Sequence, residues 1–180
     1  MPAQLTTLPS ICDTNRLALD GLAKVISLLF EPTALLTRRI YDARPYESYD
    51  QLLDKASELI RELSPLEQLE VVNAHPRIGE RAGGLSALSR AEQGQVAANE
   101  DAVLARWAQL NKQYEDKYGF RFVIFVNGRS KESLLPIIEQ RIASGNKQEE
   151  LATGLAEMVA IAHDRARKLL PVHPASAAQL

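Results

Sequence analysis

The 180-residue chain has little cysteine, almost no excess of charge and no long apolar run. A single cysteine, Cys12, excludes an intrachain disulfide and a zinc site built from several thiolates. The formal net charge is −2, so the chain has no excess of basic residues to neutralise a phosphate backbone. We therefore expect no nucleic-acid partner. No apolar run approaches the roughly 18 residues of a membrane span, so we expect no membrane partner either.

The length and the 46% hydrophobic content are those of one globular domain. We expect this domain to cover residues 12–171, with flexible tails at 1–11 and 172–180. Residues 1–5 lack the basic and apolar parts of a signal peptide, and the scarcity of cysteine suits a reducing compartment. The C-terminal Ala178-Gln179-Leu180 is a weak match to a peroxisomal small–basic–Leu signal, so we expect a cytoplasmic or peroxisomal location.

Nearly every segment of the chain has the spacing of apolar residues that is typical of an amphipathic helix. Ser48 and Ser64 are each followed three residues later by Gln or Glu, which is the pattern of a capping box. Pro76 disfavours helical geometry in the preceding residue, so we expect a helix to end at His75. The predicted fold is all-α, a single-domain helical bundle of about seven to nine helices.

One segment, residues 120–126, does not fit this helical pattern. It is rich in aromatic and β-branched residues, and Asn127-Gly128 follows it, so local rules predict a buried strand and a turn. No second strand is convincing anywhere in the chain, and a lone strand has no partner for its peptide groups. The segment is therefore either irregular and buried, or its backbone groups bond something else, for which a bound ligand would serve.

Arg165 is a charged residue on the apolar side of the predicted last helix. At about 100° per residue, it lies roughly 20° from Met158, the centre of the apolar stripe. A buried guanidinium needs an anion, which is either a carboxylate of this protein or one on a substrate. A long side chain that reaches out to water is the other structural explanation.

A second apolar stripe, centred on Val103, contains Glu92, has Gln93 at its edge, and carries Asn99 as well. Ser89 and Glu92 fit a capping box, which gives Glu92 a structural role. The free amides of a helix that begins at Ser89 would equally suit an anionic or carbonyl-rich ligand.

His75 stands at a predicted helix end, before Pro76 and beside a glycine-rich loop. It either caps helix carbonyls or transfers protons near neutral pH, where an imidazole titrates. No histidines, cysteines or carboxylates have metal-ligand spacing, and no nucleotide-binding loop follows a strand. We therefore expect no metal and no cofactor.

Four segments together resemble the motifs of the OHCU (2-oxo-4-hydroxy-4-carboxy-5-ureidoimidazoline) decarboxylase family. They are Asn73-Ala74-His75-Pro76, Ser89-x-x-Glu92-Gln93, residues 118–124 and residues 157–165. The likeness runs from about residue 17 to residue 170. It implies an all-α fold, a homodimer, and cofactor-free decarboxylation of a small ureidoimidazoline to (S)-allantoin, the last step of urate degradation.

The same resemblance assigns roles to residues of this sequence. His75 is implied to be the catalytic acid/base, and Glu92 is implied to hold the substrate. Our mechanistic hypothesis is that Glu92 also acts in catalysis, by orienting the hydroxyl or ureido side and keeping His75 in a useful tautomer or charge state. The implied substrate-binding residues are Pro76, Ser89, Gln93, Arg165 and the backbone of Ile124, Phe125, Val126, Asn127 and Gly128. The alternative is a non-catalytic helical interaction module, in which Arg165, Glu92 and Asn99 are buried structural polar residues.

Overall fold

A computed structural model describes residues 7–31, 33–80 and 100–171. These ranges contain eight helices and no strand, which confirms the all-α prediction. None of these helices has the length and apolar character needed to cross a membrane. The helices are α1 (Ile11–Arg16), α2 (Leu19–Ile26), α3 (Ala34–Asp42), α4 (Tyr49–Glu62), α5 (Pro65–Ala74), α6 (Glu100–Tyr118), α7 (Lys131–Ser144) and α8 (Lys147–Leu169).

The capping boxes predicted at Ser48 and Ser64 differ in how completely they form. At α5, Ser64 Oγ accepts from the Glu67 N–H and Glu67 accepts from the Ser64 N–H at 2.8 Å, so the box is complete. At α4, Ser48 Oγ accepts from the Gln51 N–H at 3.1 Å, as expected. The Gln51 side chain, however, accepts from the N–H of Glu47 instead of Ser48, so only half of that box forms.

The end of α5 fixes the backbone on which His75 stands. His75 is the C-cap residue, with φ −67° and ψ 137°, and its N–H donates to the Val72 carbonyl. This extended geometry is what the following Pro76 requires. The imidazole is therefore carried just beyond the helix, on a backbone held by the last turn of α5.

The packed part of the chain begins earlier than the predicted boundary at residue 12. Leu8 is buried, and its N–H donates to the Leu169 carbonyl at the end of α8 over 2.9 Å. The Tyr49 hydroxyl donates to the carbonyl of Pro9 at 3.0 Å. Residues 8–11 are thus part of the domain, because they close over the ends of α8 and α4.

Residues 120–126 form an irregular, largely buried segment between α6 and α7. Gly119, at φ +83°, ends α6 and turns the chain into this segment, and its N–H donates to the Glu115 carbonyl. Phe120 and Phe122 then pack edge-on against the Tyr114 ring, with centroid distances of 5.8 and 5.2 Å. Aromatic packing, in place of strand pairing, holds the segment in the core.

A buried ion pair joins α7 to α8 beneath this segment. Arg141 Nε lies 2.7 Å from Glu150 Oε2, and the Tyr114 hydroxyl on α6 donates to the same oxygen at 2.7 Å. Burial, with the hydrogen bond to Glu150, raises the pKa of Tyr114 far above its usual value, so the phenol stays a donor. A Cβ on Gly145 would lie 2.8 Å from the Arg141 carbonyl oxygen and 2.7 Å from Glu150 Oε1, so glycine fits here where a side chain would push on the backbone of α7 and on the ion pair.

Replacing Glu150 with alanine should cost about 3 kcal/mol or more of the free energy of unfolding. The variant leaves the Arg141 guanidinium buried without its carboxylate and the Tyr114 hydroxyl without its acceptor. Guanidinium denaturation followed by circular dichroism would measure the change.

The neighbouring Glu149→Ala is the matched control, because Glu149 is exposed in the first turn of the same helix. We expect it to cost less than about 1 kcal/mol, the usual worth of an acidic residue near a helix N-terminus. Equal losses in the two variants would show that the buried pair adds nothing specific to stability.

Candidate active site

A cavity of about 140 Å³ lies where the end of α5, the extended segment and α8 meet. The first wall is His75, Pro76 and Ile78, and the second is the continuous run 122–128. Ile161, Asp164 and Lys168 of α8 form the third. Two of the sequence-predicted groups, the His-Pro pair and residues 124–128, are therefore brought together around one space.

His75 is the most unusual polar side chain in this wall. Only 6% of the residue is exposed, and neither Nδ1 nor Nε2 has a hydrogen-bond partner within the described ranges. Buried polar atoms are nearly always hydrogen-bonded in folded proteins. The other histidine of the described ranges, His163, instead faces two carboxylates, 3.8 Å from Asp50 and 3.9 Å from Asp54.

Burial lowers the pKa of His75 to about 4, and the Arg165 cation adds to the effect against the opposing charge of Glu31. The imidazole is therefore neutral near pH 7. A neutral imidazole carries one N–H donor and one acceptor nitrogen. His75 can thus donate one hydrogen bond to a ligand in the cavity and accept another from it.

Arg165 is 2% exposed, as its place on the apolar stripe predicts, and it meets a carboxylate of this protein. Its guanidinium lies 3.3 Å from Glu31 Oε1 and donates to the Leu29 carbonyl at 3.3 Å. The sequence left several explanations of Arg165 open, and one of them, an ion pair within the protein, is thus present. Arg165 is not among the described residues that line the cavity, although its charge reaches His75.

Arg121 joins the extended segment to the end of α5 and to the backbone of His75. Its N–H donates to Asn73 Oδ1 at 2.9 Å, and its guanidinium donates to the His75 carbonyl at 2.8 Å. Sequence reasoning did not single out these contacts. A charged residue in the middle of an aromatic run was nevertheless a usable signal, because such a side chain must find polar partners.

Two further side chains bond the backbone of this segment. Arg141 donates to the Val123 carbonyl at 3.1 Å, and Glu157 Oε2 accepts from the Phe125 N–H at 2.7 Å. Part of the backbone that the sequence left without a strand partner is therefore satisfied from α7 and α8.

The backbone beyond these bonds forms a turn at the cavity. Asn127 and Gly128 have φ values of 47° and 72°, and the Arg129 N–H closes the turn on the Val126 carbonyl at 3.0 Å. In the part of the chain that the structure describes, no hydrogen bond uses the N–H groups of Ile124, Val126, Asn127 or Gly128. A set of backbone donors thus belongs to residues that line the cavity.

The α8 wall carries charges of both signs. Lys168 Nζ lies 2.6 Å from Asp164 Oδ2, with 66% of the lysine side chain and 13% of the aspartate exposed. This pair marks the solvent side of the cavity. Among the described residues, no group of three or more histidines, cysteines and carboxylates is arranged to hold a metal ion.

A sequence model described as OHCU decarboxylase matches residues 15–167 of this chain. The chain belongs to the OHCU decarboxylase family. The match covers all eight helices but the start of α1 and the end of α8.

Relatives in this family include short and long proteins. The chain is 27% identical over 156 residues to the 2-oxo-4-hydroxy-4-carboxy-5-ureidoimidazoline decarboxylase of Haloferax volcanii, covering 84% of this chain and 90% of that protein. It is 29% identical over 160 residues to the uric acid degradation bifunctional protein of Bacillus sp. strain TB-90. That alignment covers 86% of this chain but spans only 31% of the bifunctional protein.

Solved structures agree with the fold. The crystal structure of an (S)-allantoin synthase superposes with a TM-score of 0.65 at 21% identity, covering 90% of this chain and 54% of that one. An OHCU decarboxylase crystallised in the presence of (S)-allantoin gives a TM-score of 0.60 at 22% identity, covering 75% and 89%. The helical architecture described above is therefore that of the OHCU decarboxylase family.

The remaining residues of the predicted site, Ser89, Glu92 and Gln93, lie outside the described ranges, as does Asn99. Their roles stay predictions. Sequence reasoning assigned no role to Asn73 and Glu157, although both lie in segments that carry the resemblance, and it did not single out Glu31. Asn73 and Glu157 bond the backbone of the extended segment, and Glu31 pairs with Arg165. Periodicity gave no reason to select them, because none of them stands out on an apolar stripe.

The neutral state of His75 leads to a pH prediction. Its folded pKa lies below the unfolded value of about 6.5, so the unfolded chain binds more protons between pH 6.5 and about 4. Stability should therefore be undiminished above pH 6.5 and fall as the pH drops through this window, by about 2 kcal/mol between pH 7 and pH 5. Denaturation of wild type and His75→Gln at the two pH values measures the difference.

The variant should lose that part of the acid sensitivity, since glutamine does not titrate. Nuclear magnetic resonance offers a direct check, because the ring protons of His75 should not shift between pH 8 and pH 5.5. Ring protons that titrate near pH 6.5 would contradict a buried neutral imidazole.

Proposed function

We propose that this chain decarboxylates 2-oxo-4-hydroxy-4-carboxy-5-ureidoimidazoline to (S)-allantoin, the last step of urate degradation. The observation that carries the proposal is a buried imidazole whose two nitrogens have no partner in the described ranges. It lies beside a cavity whose lining residues include Ile124, Val126, Asn127 and Gly128, and the N–H groups of these four make no hydrogen bond within the same ranges. Membership of the OHCU decarboxylase family supports it. So do the names of relatives such as the Haloferax volcanii protein.

The proposed reaction balances without an oxidant or a reductant. The bond from the ring carbon to its carboxylate breaks, carbon dioxide leaves, and the electron pair passes into the adjacent ring C=N, whose nitrogen takes a proton. The resulting enol becomes a carbonyl when its hydroxyl proton leaves and the ureido-bearing carbon is protonated. Protonation on one face of the ring gives the (S) product. The ring itself serves as the electron sink, so the step calls for no metal or organic cofactor.

In this proposal His75 is the catalytic acid/base. As a neutral group it accepts the hydroxyl proton through its acceptor nitrogen while its N–H holds the departing carboxylate. Pro76 fixes the backbone beside the imidazole. Such placement lowers the barrier mainly by orienting groups that would otherwise meet by chance.

The wall at 124–128 is the proposed binding edge. Four backbone N–H groups suit the carbonyl oxygens of a ureido group and an imidazolone ring, namely those of Ile124, Val126, Asn127 and Gly128. Phe125 is proposed to contact the substrate because it lines the same wall. Arg165 is proposed to attract the anionic side of the substrate from behind His75, with its orientation fixed by Glu31. Ser89, Glu92 and Gln93 are proposed to complete the site.

A non-catalytic interaction module is the second candidate. The ion pair of Arg165 with Glu31 is what that candidate expects of a structural polar residue. It gives no account of His75, whose buried nitrogens serve no other residue of the described ranges.

The test is to generate the unstable substrate in place with urate oxidase and hydroxyisourate hydrolase and to follow optical activity. Wild type should bring a rapid appearance of (S)-allantoin. His75→Ala should lower the rate at least about 100-fold, the usual contribution of a positioned acid/base. His163→Ala is the matched control, since that half-buried histidine lies outside the cavity.

Equal rates for wild type and His75→Ala, at equal folded content, would remove His75 from the mechanism. A wild type that fails to accelerate the background reaction would overturn the proposed activity and favour the interaction module.

Arg165→Lys provides a separate prediction. Lysine keeps the charge but lacks the planar fork that reaches Glu31 and the Leu29 carbonyl together. We expect KM to rise about tenfold with the fold intact, as judged by circular dichroism. Arg167→Lys, at an exposed position of the same helix, should leave KM unchanged. Global unfolding of Arg165→Lys would assign Arg165 to structure alone.

Two other expectations belong to this proposal. We propose a homodimer, as the family resemblance implies, which light scattering on the purified chain would test. A cytoplasmic or peroxisomal location is also proposed, and the weak signal Ala178-Gln179-Leu180 lies outside the described residues.

A further inference from the structure

The backbone bonds of the extended segment follow a simple alternation. In an extended chain, successive residues direct their N–H and C=O groups to opposite edges. The groups bonded by side chains of the helices all belong to odd-numbered residues: the Arg121 N–H, the Val123 carbonyl and the Phe125 N–H. Their partners, Asn73, Arg141 and Glu157, come from three different helices and stand where a neighbouring strand would lie.

The opposite edge belongs to the even-numbered residues. The N–H groups of Ile124 and Val126 take part in no hydrogen bond within the ranges described, and both residues line the cavity. One edge of the segment is thus held by side chains of the helices. On the other edge the Val126 carbonyl accepts from Arg129, while the N–H groups of Ile124 and Val126 are directed away from the helix side chains. Within the described ranges, the helices therefore supply hydrogen-bond partners along one edge of the segment only.

We propose that Glu157 is a positioning residue, which holds the Phe125 N–H so that the flanking N–H groups of Ile124 and Val126 meet the substrate. The inference rests on the proposed function and adds a residue to it. The carboxylate oxygen lies 2.7 Å from the Phe125 nitrogen, the short distance of a charge-assisted hydrogen bond. Phe125 stands between the two proposed donors, so this bond fixes both neighbouring peptide planes.

Of the three side chains that bond the backbone of the segment, Glu157 allows the clearest test. Arg141 also pairs with the buried Glu150, so its replacement would damage the core as well as the segment. Asn73 bonds Arg121, three residues before Ile124. Glu157 is a half-buried side chain on α8, the helix that also supplies Ile161 and Asp164 to the cavity.

The ligand chemistry that this edge recognises is an acceptor-rich amide. Two N–H groups of alternate residues in an extended chain point the same way and suit the carbonyl oxygens of a ureido group or of a cyclic urea. In this proposal the Glu157 carboxylate bonds the Phe125 N–H and does not itself bind the ligand. Its effect on binding is therefore one of geometry, and the effect should return with any side chain that accepts the same hydrogen bond.

The experiment compares Glu157→Leu and Glu157→Gln with wild type. Leucine cannot accept the Phe125 N–H, whereas the glutamine carbonyl can. We expect Glu157→Leu to lower kcat/KM about tenfold, mainly through KM, and to weaken binding of (S)-allantoin in a nuclear magnetic resonance titration by a similar factor. Glu157→Gln should recover most of both, and the Phe125 amide proton should move upfield in the leucine variant only.

Asn15→Ala is the matched control. Asn15 also bonds backbone groups, the N–H and the carbonyl of Tyr46, but on α1, away from the cavity. It should lower stability while leaving kcat/KM and (S)-allantoin binding within about twofold of wild type. Loss of stability alone thus does not reproduce the expected result.

The outcomes separate this inference from the proposed activity. If wild type is active and Glu157→Leu matches it in KM and in (S)-allantoin binding, the positioning role is overturned and the activity stands. If Glu157→Leu fails to fold, Glu157→Asp, which is one methylene too short to reach Phe125 unaided, takes its place and should raise KM. A wild type that neither binds (S)-allantoin nor forms it overturns both.

Discussion

The fold of this protein depends on one constraint: a buried extended segment, residues 120–126, must find hydrogen-bond partners without a second strand in the described ranges. Unpaired peptide groups in a protein core are too costly to leave. Side chains from three helices meet this need, with Asn73, Arg141 and Glu157 each bonding one residue of the segment. Helices α5, α7 and α8 therefore all contact the segment, and the cavity lies where the segment meets the end of α5 and α8.

Two ion pairs lie near the cavity, one beneath the extended segment and one near His75. The Arg141 and Glu150 pair lies beneath the segment and supports its wall. Burial lowers the pKa of His75 and keeps the imidazole neutral, and the nearby Arg165 and Glu31 pair adds to this effect because the cation outweighs the anion. A buried ion pair is a weak source of net stability, because desolvation offsets most of the attraction. Here such pairs fix geometry and local charge.

Much of the fold was predictable because it depends on neighbours in the chain. The caps at Ser48 and Ser64 and the end of α5 at His75 all follow from local rules. The burial of Arg165 followed from helical periodicity alone. The tail boundary did not, because Leu8 is held by the far end of α8, a contact with no local signature.

The sequence by itself determined the helical class, the placement of His75 beyond a helix end, the inward direction of Arg165 and the need of one segment for outside partners. Only the tertiary structure decided which residues pair with Arg165 and which bond the segment. Glu31 meets Arg165, and Glu157 meets the backbone of Phe125. Periodicity gives the face of a helix on which a residue lies, but not what that face meets. That choice is made by packing between segments distant in the chain.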